Sequence, residues 1–148
     1  FFYTKLNLKD SFQNRISLIF IHISFLFVKI KEVNSNKAFA EFYQRIFDVV
    51  FKKIELNMRE LGHGDVTVNK NMKFLVKSFY NILFFCEKFT EKRKEYNRTF
   101  FDRSFKSNNI KKTPNYDSLI AYFKDFQSFC FDLSSDSVLK GEFKFKFN

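Results

Sequence analysis

Apolar and polar positions are unevenly distributed along the chain. Its most apolar run is Ile16 to Ile30, interrupted by Ser17, His22, Ser24 and Lys29. A membrane-spanning helix needs about 20 predominantly apolar residues. The run therefore predicts a buried core helix over about 11–31, with peripheral membrane contact as the lesser alternative. Asp10 and Gln13 stand at capping-box spacing ahead of it. Asn34-Ser35-Asn36 reads as a break. A second helix is predicted over about 37–59, because Phe39, Phe42, Tyr43, Ile46, Val49, Val50 and Ile54 recur at three and four on one face.

Leu61 to Val68, LGHGDVTV, is the most distinctive loop. Gly62 is expected to end the second helix as a left-handed cap. Gly64 is expected to free Asp65 to turn back on the structure. A third helix is predicted from about 67–69, with Met72, Leu75, Val76, Phe79, Leu83, Cys86 and Phe89 on its inner face. Phe100, Phe101 and Phe105 set a shorter helical segment near 97–109, and Pro114 forces a break before the next helix. Leu119, Tyr122, Phe123, Phe126, Phe129, Cys130 and Leu133 are expected to form that amphipathic helix. The tail 142–148, EFKFKFN, alternates strictly. It reads either as an edge strand, for which one strand has no partner, or as an extended or disordered tail.

Composition supports helices. The 148 residues include 25 Phe and 6 Tyr but only 3 Gly and 1 Pro, too few turn residues for a chain of short hairpins. The expected fold is all-α, a single compact domain of about five to six helices with a glycine-bearing loop before the third. It spans 1–148 without repeats or linkers. The chain opens Phe1-Phe2-Tyr3 rather than on Met. It therefore reads as a fragment or processed product, with any leader lying outside it. Two Cys cannot make a disulfide-rich secreted scaffold.

The net charge is +10, which attracts nucleic acid, anionic lipid or an acidic protein surface. Phe, Lys, Asn and Ile are also what an AT-rich genome supplies, so charge alone assigns no partner. Residues 88–112 carry nine cations and three acids, interleaved with Tyr96, Phe100, Phe101 and Phe105. Lys92, Arg93, Lys94, Arg98 and Arg103 are the candidate contacts to an anionic surface. Cations with aromatics suit single-stranded nucleic acid or an anionic membrane equally. The plainer reading turns the Phe rings inward and the lysines to water.

Nucleophile-elbow, Walker, HExxH and paired-Cys zinc motifs are all missing from the sequence. His22, His63, Cys86 and Cys130 are scattered over more than a hundred residues, without the close pair a structural zinc site shows. The two Cys read as core residues, His22 as a satisfied core or boundary histidine, and His63 as exposed. Arg59, Glu60 and Asp65 cluster at the glycine loop. A structural network is expected, with the Arg59 fork taking a carboxylate bidentately and Asp65 facing the orphan N–H groups of the third helix. The residues point to a basic, Phe-rich helical protein that is not an enzyme and carries no metal or cofactor.

The stretch MRELGHGDVTVNKNMKFLVKSFYN from Met58 resembles the ubiquinol–cytochrome c chaperone family. Arg59, Glu60, Gly62, Gly64 and Asp65 keep the spacing of that family's loop. Val68, Lys70, Met72 and Lys73 match its helix start, and Phe79-Tyr80 its aromatic pair. Phe12, Arg15, Leu18 and His22 look like its opening helix. Leu119, Tyr122, Leu139, Gly141 and Phe143 look like its closing helix and tail. The departures are Met58 for Leu, His63 between the glycines, and Asn81-Ile82 where the family has Gly-Arg. The resemblance implies an assembly factor for the cytochrome bc1 complex that binds newly synthesised cytochrome b. It also implies contact with the ribosome's exit region in mitochondrial members, a small partner subunit, and no DNA. The place would be the inner-membrane face of a bacterial cytoplasm or the matrix side of the mitochondrial inner membrane. Arg59, Glu60, Gly62, Gly64 and Asp65 would be the centre of the motif, and Met72, Val76, Phe79 and Tyr80 the apolar client contacts.

Overall fold

The computed structural model describes residues 1–33, 37–105 and 113–147. Among the described residues six helices follow one another: α1 (Phe12–Val33), α2 (Lys37–Glu60), α3 (Asp65–Glu87), α4 (Lys94–Ser104), α5 (Tyr116–Asp132) and α6 (Ser135–Lys140). The described residues contain no strand. The all-α expectation holds. The break predicted at Asn34-Ser35-Asn36 lies outside the described residues. The helix expected near 97–109 starts earlier, at Lys94, and ends at Ser104 with Phe105 as its cap; 106–109 lie outside the described residues.

α1 is the axis of the fold. It packs most extensively on α3 and also touches α5, α2 and α6, while α4 lies on α5 and α2 on α3. The reason is its composition. Phe20, Ile21, Phe25 and Phe27 on α1 are each at most 2% exposed. They meet rings from three directions: Phe51 on α2, Phe79 on α3, and Phe123 and Phe126 on α5. The Phe20–Phe79 and Phe20–Phe51 centroids stand 5.3 and 5.4 Å apart, within the range where aromatic pairs add to plain area burial. α1 is the one described helix long and apolar enough to cross a membrane, and 61% of that stretch is buried within the protein. It is a core helix here.

The start of α1 differs from the predicted capping box. Ser11 Oγ accepts from the Asn14 amide at 3.3 Å, while Asp10 takes the Arg15 fork at 2.6 and 2.7 Å. Ser11 is the better cap because its short side chain lies one residue before the first helical turn. Asn14, 1% exposed, donates to the Lys9 carbonyl at 2.8 Å and ties the preceding segment down. That segment is fixed again where the Asn115 amide donates to the Leu6 carbonyl at 3.0 Å, at the entry to α5. Asn115 in turn caps α5 through Ser118.

The predicted faces need two corrections. On α2, Val49 is 53% exposed and Phe51 takes the buried place. α3 begins at Asp65, earlier than expected, and buries Val68, Ile82 and Phe85 in addition to Leu75, Phe79 and Cys86. Its inner arc is widened by α4, whose Phe100 stacks on Phe85 at 3.5 Å and 5°. The 142–147 tail is extended without strand pairing. Its alternation still has a purpose: Phe145 and Phe147 pack on Tyr122, while Lys144 and Lys146 face water. Both cysteines are buried, as predicted. Burial pushes the Cys130 thiol up to about 12 and raises Cys86 well above its ordinary value.

Candidate functional site

The α2–α3 loop is built as the residues suggested. Gly62 sits at φ +85. Its amide donates to the Arg59 carbonyl at 2.9 Å, and that of His63 reaches the Met58 carbonyl at 3.1 Å. This is the double closure of a Schellman motif, which a residue with a Cβ resists. Gly64 differs from its expectation. It lies at φ −70 and ψ 160, an ordinary extended conformation, and an added Cβ would meet nothing within 4 Å. Local geometry does not demand glycine there.

Arg59 is the loop's connector. Its Nε and Nη2 both reach Glu55 Oε1, at 3.1 and 2.9 Å, and its Nη1 donates to Asp65 Oδ1. The forked partner is thus Glu55 within α2, and Asp65 takes the remaining arm across the loop. The two carboxylates raise the Arg59 guanidinium above its usual value. Glu60 accepts from Asn57 at 3.2 Å. Asp65 makes no side-chain cap, since the capping residue is Gly64. It lies instead in the first turn of α3, where a carboxylate favours the positive end of the helix dipole. The whole of 61–67, His63 included, is exposed, Leu61 by 64% and Val66 by 85%.

The four residues expected to offer apolar contact separate in space. Phe79 is 2% exposed and belongs to the core, Met72 and Val76 are half-buried, and Tyr80 is 51% exposed. Tyr80 lies beside Tyr43 of α2, whose hydroxyl is pushed up to about 12 by burial and by its Tyr80 neighbour.

The basic segment also resolves into parts. Lys92, Arg93, Lys94, Arg98 and Arg103 are all exposed. Lys94 pairs with Asp117 at 3.2 Å, and the Lys92 ammonium stands 5.1 Å over the Tyr96 ring. Phe101 and Phe105 are at most 1% exposed and Phe100 is half-buried on Phe85, which leaves Tyr96 as the exposed ring among the four interleaved aromatics. The plainer reading of those Phe residues holds. Lys106, Lys111 and Lys112 lie outside the described residues.

Pattern reading missed one feature, an apolar cleft of about 580 Å³ between α1, α2 and α3. Phe27, Ile30, Phe39, Tyr43 and Leu83 line it, and Lys31, Lys37 and Glu87 stand among them. Its volume lies within the range of ligand pockets. Only the Phe39–Tyr43 spacing on one helix hinted at it, because the cleft exists only where three helices meet.

The comparisons with known proteins bear on this arrangement. No curated protein matches the chain. The fold superposes on the crystal structure of the Cbp3 homolog from Brucella abortus with a TM-score of 0.81 at 22% identity, over 99% of this chain and 80% of that one. The family model for ubiquinol-cytochrome C chaperones matches residues 4–145, from the segment before α1 to the extended tail. The chain belongs to the ubiquinol–cytochrome c chaperone family.

Proposed function

We propose that this protein is a non-catalytic assembly chaperone of the cytochrome bc1 complex that holds unassembled cytochrome b. Membership of the family over nearly the whole chain supports the assembly role. The apolar cleft of about 580 Å³ is the observation that supports a membrane-protein client. A membrane protein awaiting assembly exposes apolar helix surface, and a groove lined by Phe27, Ile30, Phe39, Tyr43 and Leu83 covers such surface by helix-in-groove packing. Tyr80, exposed beside Tyr43, extends the same apolar border. The Arg59–Asp65 loop lies at the other end of α2 and offers a second, polar contact.

A peripheral place at the inner membrane follows from the client, on the cytoplasmic or matrix side. The family resemblance is what carries the ribosome's exit region and a small partner subunit as further partners. The RNA reading of residues 88–112 loses support, since Phe89, Phe101 and Phe105 are buried and Phe100 is half-buried on Phe85, leaving Tyr96 as the exposed ring of five, and stacking needs exposed rings.

The test is site-specific photocrosslinking in cells that make the bc1 complex. A photoreactive phenylalanine replaces Ala40, an exposed residue of the cleft, or Asp125 on the outer face of α5. Cytochrome b captured from position 40 and not from 125 is the expected result. Cytochrome b absent at both positions, with bc1 assembly intact, would remove the cleft as the client site.

A further inference from the structure

The outward face of α3 has no part in the core or in the cleft. Val66, Lys70, Lys73, Lys77, Phe84 and Lys88 fall within one arc of the 3.6-residue repeat, and all six are exposed. Phe84 is 58% exposed and Val66 85%. From Val66 to Cys86 the sequence contains no acidic residue. The two acids that bound this run are each held by a cation: Asp65 by Arg59, and Glu87 by Lys31 at 2.7 Å. Lys70, Lys73 and Lys77 pair with no acid among the described residues. The Lys88 ammonium stands 4.8 Å over the Phe84 ring.

We infer that this face docks on an anionic lipid bilayer. It is a convex strip roughly 33 Å long at 1.5 Å per residue, which suits a flat partner better than a groove-filling peptide. The charge is of one sign, as an anionic surface requires. Each Lys near such a surface contributes about 1 kcal/mol and loses it beyond a Debye length. Between the lysines stand a Phe and a Val, which gain from entering the acyl boundary while the Lys stems extend toward the headgroups. Val66 has no ring to stack on a base, which favours lipid over single-stranded nucleic acid. None of the six strip residues lines the cleft, so vesicle binding and capture of cytochrome b can fail independently.

The experiment is cosedimentation of the full chain with phosphatidylcholine vesicles with and without phosphatidylglycerol. Binding is expected only with phosphatidylglycerol, falling steeply with salt. The triple substitution Lys70→Gln, Lys73→Gln, Lys77→Gln should weaken partitioning about a hundredfold. Phe84→Ser should weaken it about tenfold. The triple Lys124→Gln, Lys144→Gln, Lys146→Gln removes the same charge from exposed positions elsewhere and should leave most of the binding. Circular dichroism and thermal melts verify that every variant folds. Equal loss in both triples would reduce the effect to net charge and overturn the inference. So would wild-type binding indifferent to phosphatidylglycerol, or binding of single-stranded RNA lost in the α3 triple without any vesicle binding.

Discussion

His22 on α1 and Tyr122 on α5 form one hydrogen-bonded unit across the core. His22 Nδ1 lies 2.7 Å from the Leu18 carbonyl, which can only accept, so Nδ1 carries the proton. Nε2 is then the acceptor for the Tyr122 hydroxyl at 2.9 Å. Phe2, Phe123 and Phe126 surround the imidazole with edge-on rings at 5.9, 5.1 and 4.7 Å. The neutral tautomer is set by its neighbours, and the pair ties α1 to α5 through two residues a hundred positions apart in the chain.

Tyr122→Phe keeps the ring packing and removes the hydroxyl. It should lower stability by about 1–2 kcal/mol, the loss of one hydrogen bond together with the orphaning of His22 Nε2. The urea midpoint should fall at unchanged slope. A midpoint equal to wild type would show that the bond contributes nothing.

Burial holds the His22 imidazole below its ordinary value of 6.5, partly offset by the Leu18 carbonyl. The unfolded chain therefore takes up a proton on His22 that the folded chain refuses. Stability should be insensitive to His22 above about pH 6.5 and should decline as pH falls from there toward the lower folded value. His22→Gln should flatten this part of the decline when urea midpoints are compared at about pH 7.5 and about pH 5.5. The same acid-side loss in both proteins would assign it to other groups.

The two loop glycines should respond oppositely. Gly62→Ala forces a Cβ into φ +85 and should cost about 1–2 kcal/mol. Gly64→Ser supplies a capping oxygen to the uncapped start of α3, in open space. It should be neutral or stabilising by a few tenths of a kcal/mol. Thermal melts of both proteins decide, and a larger loss at 64 than at 62 would contradict the loop geometry.

Asp65→Ala removes one arm of the Arg59 bridge and leaves the fork on Glu55. Both partners are exposed, so the melting temperature should scarcely move, as for other surface pairs. The bc1 content of membranes should nevertheless fall. Full bc1 assembly with this variant would show the loop to be dispensable for the proposed role.

The fold class was readable before any coordinates, for physical reasons tied to particular residues. A continuous apolar run identified α1, and apolar positions recurring on one helical face identified α2, α3 and α5. The scarcity of Gly and Pro excluded hairpins, and Gly62 was recognisable as a helix stop because only glycine closes that turn at little cost. The loop residues Arg59, Glu60, Gly62, Gly64 and Asp65 also carried the family. Side-chain roles were less legible. With 25 Phe in 148 residues, hydrophobicity does not separate inner rings from outer ones. Phe79 is buried and Phe84 exposed on the same helix.

By itself, then, the sequence determined that the chain is helical and roughly where its long helices lie, because that depends on local periodicity and backbone freedom; it left the start of α3, the bounds of α4 and the short α6 to the structure. The tertiary structure decided which arc of each helix is buried, because that depends on how many neighbours a helix has. Phe100 of α4 stacking on Phe85 extended the buried arc of α3, the shared corner of three helices left the apolar cleft, and α3's lysines face outward with no described helix over them.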